Sequence, residues 1–148
     1  MSPLPRNRPH QLSLGPLEAE ILAIIWTQGG ATVRDIHDCI LADPDRELTQ
    51  ASVTTVLQRL AQKGWLRRET VNQAKAGKRR QVYRWQPTVS QQEAKLLTAH
   101  QQLQNFLAIG SPDIVAAFAD SLDTAELDQL DAIADRLRAL RNPHREDA

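Results

Sequence analysis

Between Arg59 and Arg84 the sequence carries nine basic side chains and one acid, Glu69. This run follows an amphipathic stretch, TQASVTTVLQRLAQK (residues 49–63). There Val53, Val56, Leu57 and Leu60 recur at the spacing of a helix with one apolar face. Thr49 stands where an N-cap hydroxyl belongs, and Gly64 where a helix stops. Trp65, Leu66 and Val71 then alternate loosely as a strand, with Gln81 to Trp85 as its partner. Gly77 marks the bend between them, with Lys78, Arg79 and Arg80 on or beside its tip. Few folds accept a polar-faced helix, a tight turn and a cationic hairpin in this order. The order is that of a winged helix, in which the helix fills a DNA major groove while the hairpin clamps neighbouring phosphates.

The upstream segment supplies the helices such a module needs. Gly15 suits an N-cap and Pro16 a first helical position, and Leu17, Ile21, Leu22, Ile24, Ile25 and Trp26 make a broad apolar face up to Gly29-Gly30. Thr32 and Asp35 form a capping-box pair that opens a second helix. Its inward residues are Val33, Ile36, Ile40 and Leu41, and it ends at Asp43-Pro44-Asp45. Residues 1–11, with Pro3, Pro5 and Pro9, read as a flexible arm.

From Ser90 the pattern changes. Ser90 with Glu93, and Asp123 with Glu126, are capping boxes, and Gly110-Ser111-Pro112 interrupts the helical run. The resulting three helices carry apolar stripes that include Leu103, Phe106, Ile114, Phe118, Leu127, Leu130, Ile133 and Leu137. Three short helices cannot easily bury such stripes alone, which points to coverage by a second copy of the chain. The expected organisation is an arm over 1–11, a winged helix–turn–helix domain with a small β-hairpin wing over 12–88, a three-helix dimerisation segment over 89–141, and a tail over 142–148. The fold class is mainly α.

A formal net charge of zero hides a segregation of charge. Residues 1–89 hold 13 Lys+Arg against 8 Asp+Glu, or +5, and residues 90–148 hold 5 against 10, or −5. Only the front half suits a polyanionic partner. Hydrophobic content of 41% is enough for a packed core. The single cysteine, Cys39, allows no intrachain disulfide. No apolar run approaches a membrane span, and the N-terminus lacks the apolar centre of a signal peptide. Together these predict a cytoplasmic protein with no membrane insertion.

A groove-reading helix needs small hydroxyls or long amides that reach base edges without pushing the helix outward. Gln50, Ser52, Thr54, Thr55 and Gln58 supply both kinds beside Thr49, and Arg59 lies further along. Hydroxyls serve bases and phosphates alike, so the division between the two stays open here. Catalysis finds little support, because His37 and Cys39, two residues apart on a helix, diverge instead of forming a dyad or metal site. The alternative is a winged-helix module that binds protein and not DNA. The dense cationic wing, Lys75 with Lys78, Arg79 and Arg80, argues against it.

In LGPLEAEILAIIW (14–26), ATVRDIHDCI (31–40), TQASVTTVLQRLAQKGWLRR (49–68) and RQVYRWQPTVSQQE (80–93), the chain resembles the penicillinase-repressor family, the BlaI/MecI/CopY type of bacterial transcriptional repressor. The likeness is weaker but continuous through Leu140. It implies a homodimer whose winged helices bind double-stranded DNA at a palindromic operator and whose C-terminal helices interlock. By position, Ser52, Thr54, Thr55 and Arg59 fall where the family's recognition helix contacts DNA, and Lys78, Arg79 and Arg80 fall at the wing. In the penicillinase branch a membrane-bound metalloprotease sensor triggers cleavage of an Asn-Phe bond in the dimerisation region. The similar place here is Ala117-Phe118, with Ala where that branch has Asn. The copper-responsive branch carries Cys-x-Cys motifs near its C-terminus. This chain has none, so no metal or other cofactor is expected.

Overall fold

The computed structural model describes residues 7–75 and 77–142. The first helix, α1 (Pro16–Gln28), begins where Gly15 is extended and the Glu18 carboxylate accepts from the Gly15 N–H at 3.3 Å. It ends at Gly29, whose left-handed φ of 70° closes the helix as glycine does most easily. A two-residue strand, β1 (Ala31–Thr32), runs into α2 (Val33–Leu41). The junction is the expected capping box: Thr32 N–H donates to Asp35 at 3.1 Å, and Asp35 N–H to the Thr32 hydroxyl at 3.2 Å. The third helix, α3 (Gln50–Gln62), follows its Thr49 cap.

Two ten-residue strands come next, β2 (Leu66–Lys75) and β3 (Lys78–Pro87), and the sheet order is β1-β3-β2, antiparallel throughout. The register runs from Leu66↔Pro87 to Lys75↔Lys78. At the bend between them Gly77 supplies a φ of +73°. Both strands exceed the extents expected from sequence. The tight turn keeps the ladder in register well past the residues that have any core to alternate against. The strand β1 was not foreseen, since two residues show no periodicity. It pairs Ala31 with Trp85 and Thr32 with Arg84.

The core is built from Ile21, Leu22 and Ile25 of α1, Ile36 and Ile40 of α2, and Val53, Val56, Leu57 and Leu60 of α3, closed by Trp65, Leu66 and Trp85. Every residue expected inward on α3 is buried, and fully buried Leu57 and Leu60 each contribute about 1.5–3 kcal/mol. Leu41, expected inward, is instead exposed, because α2 ends there. Trp26 and Trp65 meet edge to face at 6.2 Å, and each indole N–H is satisfied, by Val89 O and Gln11 O, both at 2.9 Å.

Of the arm expected over 1–11, residues 1–6 lie outside the described residues. Pro9 is buried, and His10 and Gln11 both donate N–H bonds to Lys63 O, at 3.0 and 3.3 Å. From Pro9 onward the segment is therefore a strap, held because the last carbonyls of α3 need donors.

The chain forms two compact units, residues 1–102 and 103–148. The fourth helix, α4 (Gln91–Ile109), starts in the first unit with the Ser90–Glu93 capping box, and buries Ala94 and Leu97. The second unit contains the end of α4, then α5 (Pro112–Asp120) and α6 (Thr124–Arg141). Asp123 and Glu126 cap α6 as expected. Neither α5 nor α6 has a buried residue. The tail beyond Asn142 is outside the described residues.

Candidate nucleic-acid interface

With Val53, Val56, Leu57 and Leu60 turned inward, a repeat of 3.6 residues places the other side of α3 in solvent. Ser52, Thr55, Gln58 and Arg59 are exposed there, while exposed Gln50 and half-buried Thr54 lie at its edge, nearer the core stripe. Their hydroxyls differ in what they can offer. Thr49 Oγ1 accepts the Ser52 N–H at 3.1 Å and lies 2.9 Å from Ser52 Oγ, so this pair is engaged at the cap. Thr54 and Thr55 donate their hydroxyl protons to Gln50 O and Ala51 O, each at 3.0 Å. Both threonines therefore present methyl groups and an accepting oxygen to solvent. Two residues of the outward surface escaped the sequence reading, Ala51 and Gln62. A helical wheel would have found them. Ala51 carries no polar group, and Gln62 lies in the last turn of the helix.

The nine cations do not form one uniform patch. Lys63 is tied into the fold: its Nζ lies 2.8 Å from Glu18 Oε2 and donates to Ser13 O at 2.8 Å. Burial of Glu18 alone would raise its pKa. The hydrogen bonds from Lys63 and the Gly15 N–H, with the charges of Lys63 and Arg59, outweigh burial and hold it below the ordinary value. Arg84 is half-buried and donates to Gly30 O at 3.4 Å. The Arg68 guanidinium sits 4.0 Å over the Tyr83 ring. Arg59, Arg67, Lys78, Arg79 and Arg80 remain exposed.

Strand register decides where the tip cations point. Arg79 pairs with Ala74, on the face shared with Trp85 and Leu66. Lys78 and Arg80 fall on the opposite face, so the tip is positively charged on both sides. Gly64, at φ +90°, turns the chain from α3 into β2, and Thr88 bonds its carbonyl at 2.7 Å. Helix and hairpin thus belong to one folded unit.

His37 Nε2 lies 2.7 Å from Leu48 O, while the Cys39 thiol accepts from Gln28 at 3.7 Å, so the two side chains serve different contacts. Among the described residues no group of three or more His, Cys, Asp or Glu could hold a metal. Also among these residues, no helix is long and apolar enough to cross a membrane.

A helix–turn–helix core, a cationic two-stranded wing and a following helical segment define a winged-helix DNA-binding regulator. The sequence model of the family described as Penicillinase repressor matches residues 14–137. The chain belongs to the penicillinase repressor family of transcriptional regulators. No curated protein matches it. Among solved structures, an organohalide-sensing transcriptional regulator in its 2,4-dichlorophenol-bound form is similar at 16% identity and a TM-score of 0.39. The match spans 90% of this chain and 70% of that one.

Proposed function

We propose that the chain is a cytoplasmic repressor that binds a palindromic operator as a homodimer. Its winged helix spans residues 12–88 and its dimerisation segment 89–141. The observation that carries this reading is the pairing of an outward polar helix, α3, with a hairpin whose tip is cationic on both faces. Gln50, Ser52, Thr54, Thr55 and Gln58 would meet the groove near the Thr49 cap. Arg59, Lys78, Arg79 and Arg80 would neutralise phosphates, which adds affinity and register without sequence information.

Dimerisation is supported by the apolar surface of the second unit. Leu103, Ile114, Phe118, Leu127, Leu130, Ile133 and Leu137 are all at least 40% exposed in the single chain. Phe106, half-buried, meets the Phe118 ring at a tilt, with centroids 4.9 Å apart. A second copy burying these stripes would join two winged helices and match the two-fold symmetry of a palindrome.

Relief of repression by proteolysis at Ala117-Phe118 fits the same picture. The bond lies in α5, and Phe118 belongs to the surface the partner would cover. Cutting there would split that surface and release the DNA. A membrane-bound metalloprotease sensor is the partner this step requires. Footprinting on duplexes selected from a random pool tests the reading. Two inverted half-sites, separated by about one helical turn or a multiple, are expected. A single asymmetric footprint, or equal affinity for all duplexes, would overturn it.

A further inference from the structure

The strip of α3 directly opposite the core is Ala51, Thr55, Gln58 and Gln62, spaced i, i+4, i+7 and i+11. Two small side chains therefore precede two amides along the line that would lie deepest in a groove. Thr55 has donated its hydroxyl proton to Ala51 O at 3.0 Å, which leaves it a methyl and a lone pair. It has no donor for guanine N7 or O6, or for thymine O4. Guanine is met by paired N–H donors of Arg or Lys. None lies on the strip: Arg59 is on its flank, and Lys63 is held by Glu18 at 2.8 Å. Cytosine offers an amino donor suited to a carboxylate, and α3 contains no Asp or Glu, so only the Thr55 lone pair is left to receive it. The base with an apolar handle in the major groove is thymine, and the base that pairs its edge with an amide is adenine.

Resting on the proposed reading of α3 as the groove helix, we infer that Ala51 and Thr55 form a methyl patch. It reads thymine C5-methyl groups, while Gln58 takes an adenine edge, so the base pairs directly beneath these three residues are A·T. The two methyl-bearing residues are about 6 Å apart along the helix axis. Base pairs rise by about 3.4 Å, so the thymines they read lie about two steps apart.

The test uses the full chain and the best duplex from a random-pool selection. Each thymine of a half-site is replaced singly by deoxyuridine, which deletes only the C5-methyl, and affinity is read by fluorescence anisotropy. For the native chain, two thymines should each show a loss of about fourfold, the value of one buried methyl. Ala51→Gly should abolish the penalty at one of them and Thr55→Ser at the other. Ala51→Ser serves if glycine loosens the start of the helix. Selection of G·C pairs beneath α3, neutral replacement at every thymine, or penalties unchanged in all variants would overturn the inference alone. A chain that selects no sequence would overturn the operator reading and the inference together.

Discussion

Removing the wing cations should change the salt dependence of DNA binding by an amount the register fixes. Lys78 and Arg80 share one face of the hairpin and Arg79 points to the other. A wing lying on a phosphate backbone with the Lys78 face thus engages at least two cations per protomer. In a dimer that is four phosphates, and each contributes about 0.9 to the slope of log affinity against log salt. Replacing Lys78, Arg79 and Arg80 together by Ala should therefore flatten the slope by about 3.6, or by about 5.4 if the tip straddles the backbone and all six cations engage. Over a fourfold rise in salt, a slope difference of about 3.6 means that the native chain loses roughly 150-fold more affinity than the variant. Anisotropy titrations of a labelled duplex at several salt concentrations read this directly. All three side chains are exposed, so the melting temperature should hardly move. Operator and random duplexes should lose affinity alike, since phosphate contacts carry no sequence. A slope change below about one, or a loss confined to the operator, would refute the assignment of the wing to phosphates.

The proposed dimer surface is tested by Ile133→Asp with Leu137→Asp, residues 55% and 58% exposed in the single chain. The variant should elute as a monomer at micromolar concentration while the thermal transition of the winged-helix unit persists, and an unchanged dimer would remove α6 from the interface. Gly64→Ala should destabilise by roughly 1–3 kcal/mol in thermal or urea melts, because φ is +90° and the new Cβ would lie 3.1 Å from Pro9 Cα. Glu18→Gln should cost about 1–2 kcal/mol near neutrality by uncoupling Lys63 from α1. Since the folded pKa of Glu18 lies below the ordinary 4.5, its contribution is present above that value and disappears as pH falls through the lowered one. The gap in stability between native chain and Glu18→Gln should close over that acidic window. A gap that stays constant would show that the ion pair is not its cause.

What the sequence made legible was local. The pairs Thr32–Asp35, Ser90–Glu93 and Asp123–Glu126 form caps because each needs only residues three apart. The stripe of α3 was readable because its four apolar residues face a single core. The outer hairpin was harder: Arg67, Arg68, Glu69, Thr70, Asn72 and Gln73 are all exposed, so no alternation marks the strand, and main-chain pairing alone extends it. Which polar groups on and around α3 are already engaged was also hidden. No periodicity reveals that Thr54 and Thr55 donate their protons inward, or that Lys63 and Arg84 are occupied within the fold while their neighbours are exposed. Nor does composition disclose that Pro9, His10 and Gln11 are packed, because two of the three bonds that fix them are made entirely by backbone atoms and the third ends on one.

That last detail changes how shortened versions of the protein should be judged. The opening segment acts as a latch on the trailing end of α3, through His10 and Gln11 to Lys63 and through Gln11 to the Trp65 indole. Trimming the chain ahead of Leu12 strips all three bonds and unseats the tryptophan that α1 packs against. A trimmed protein that grips DNA poorly would have a loosened α3, whatever the missing arginines touch.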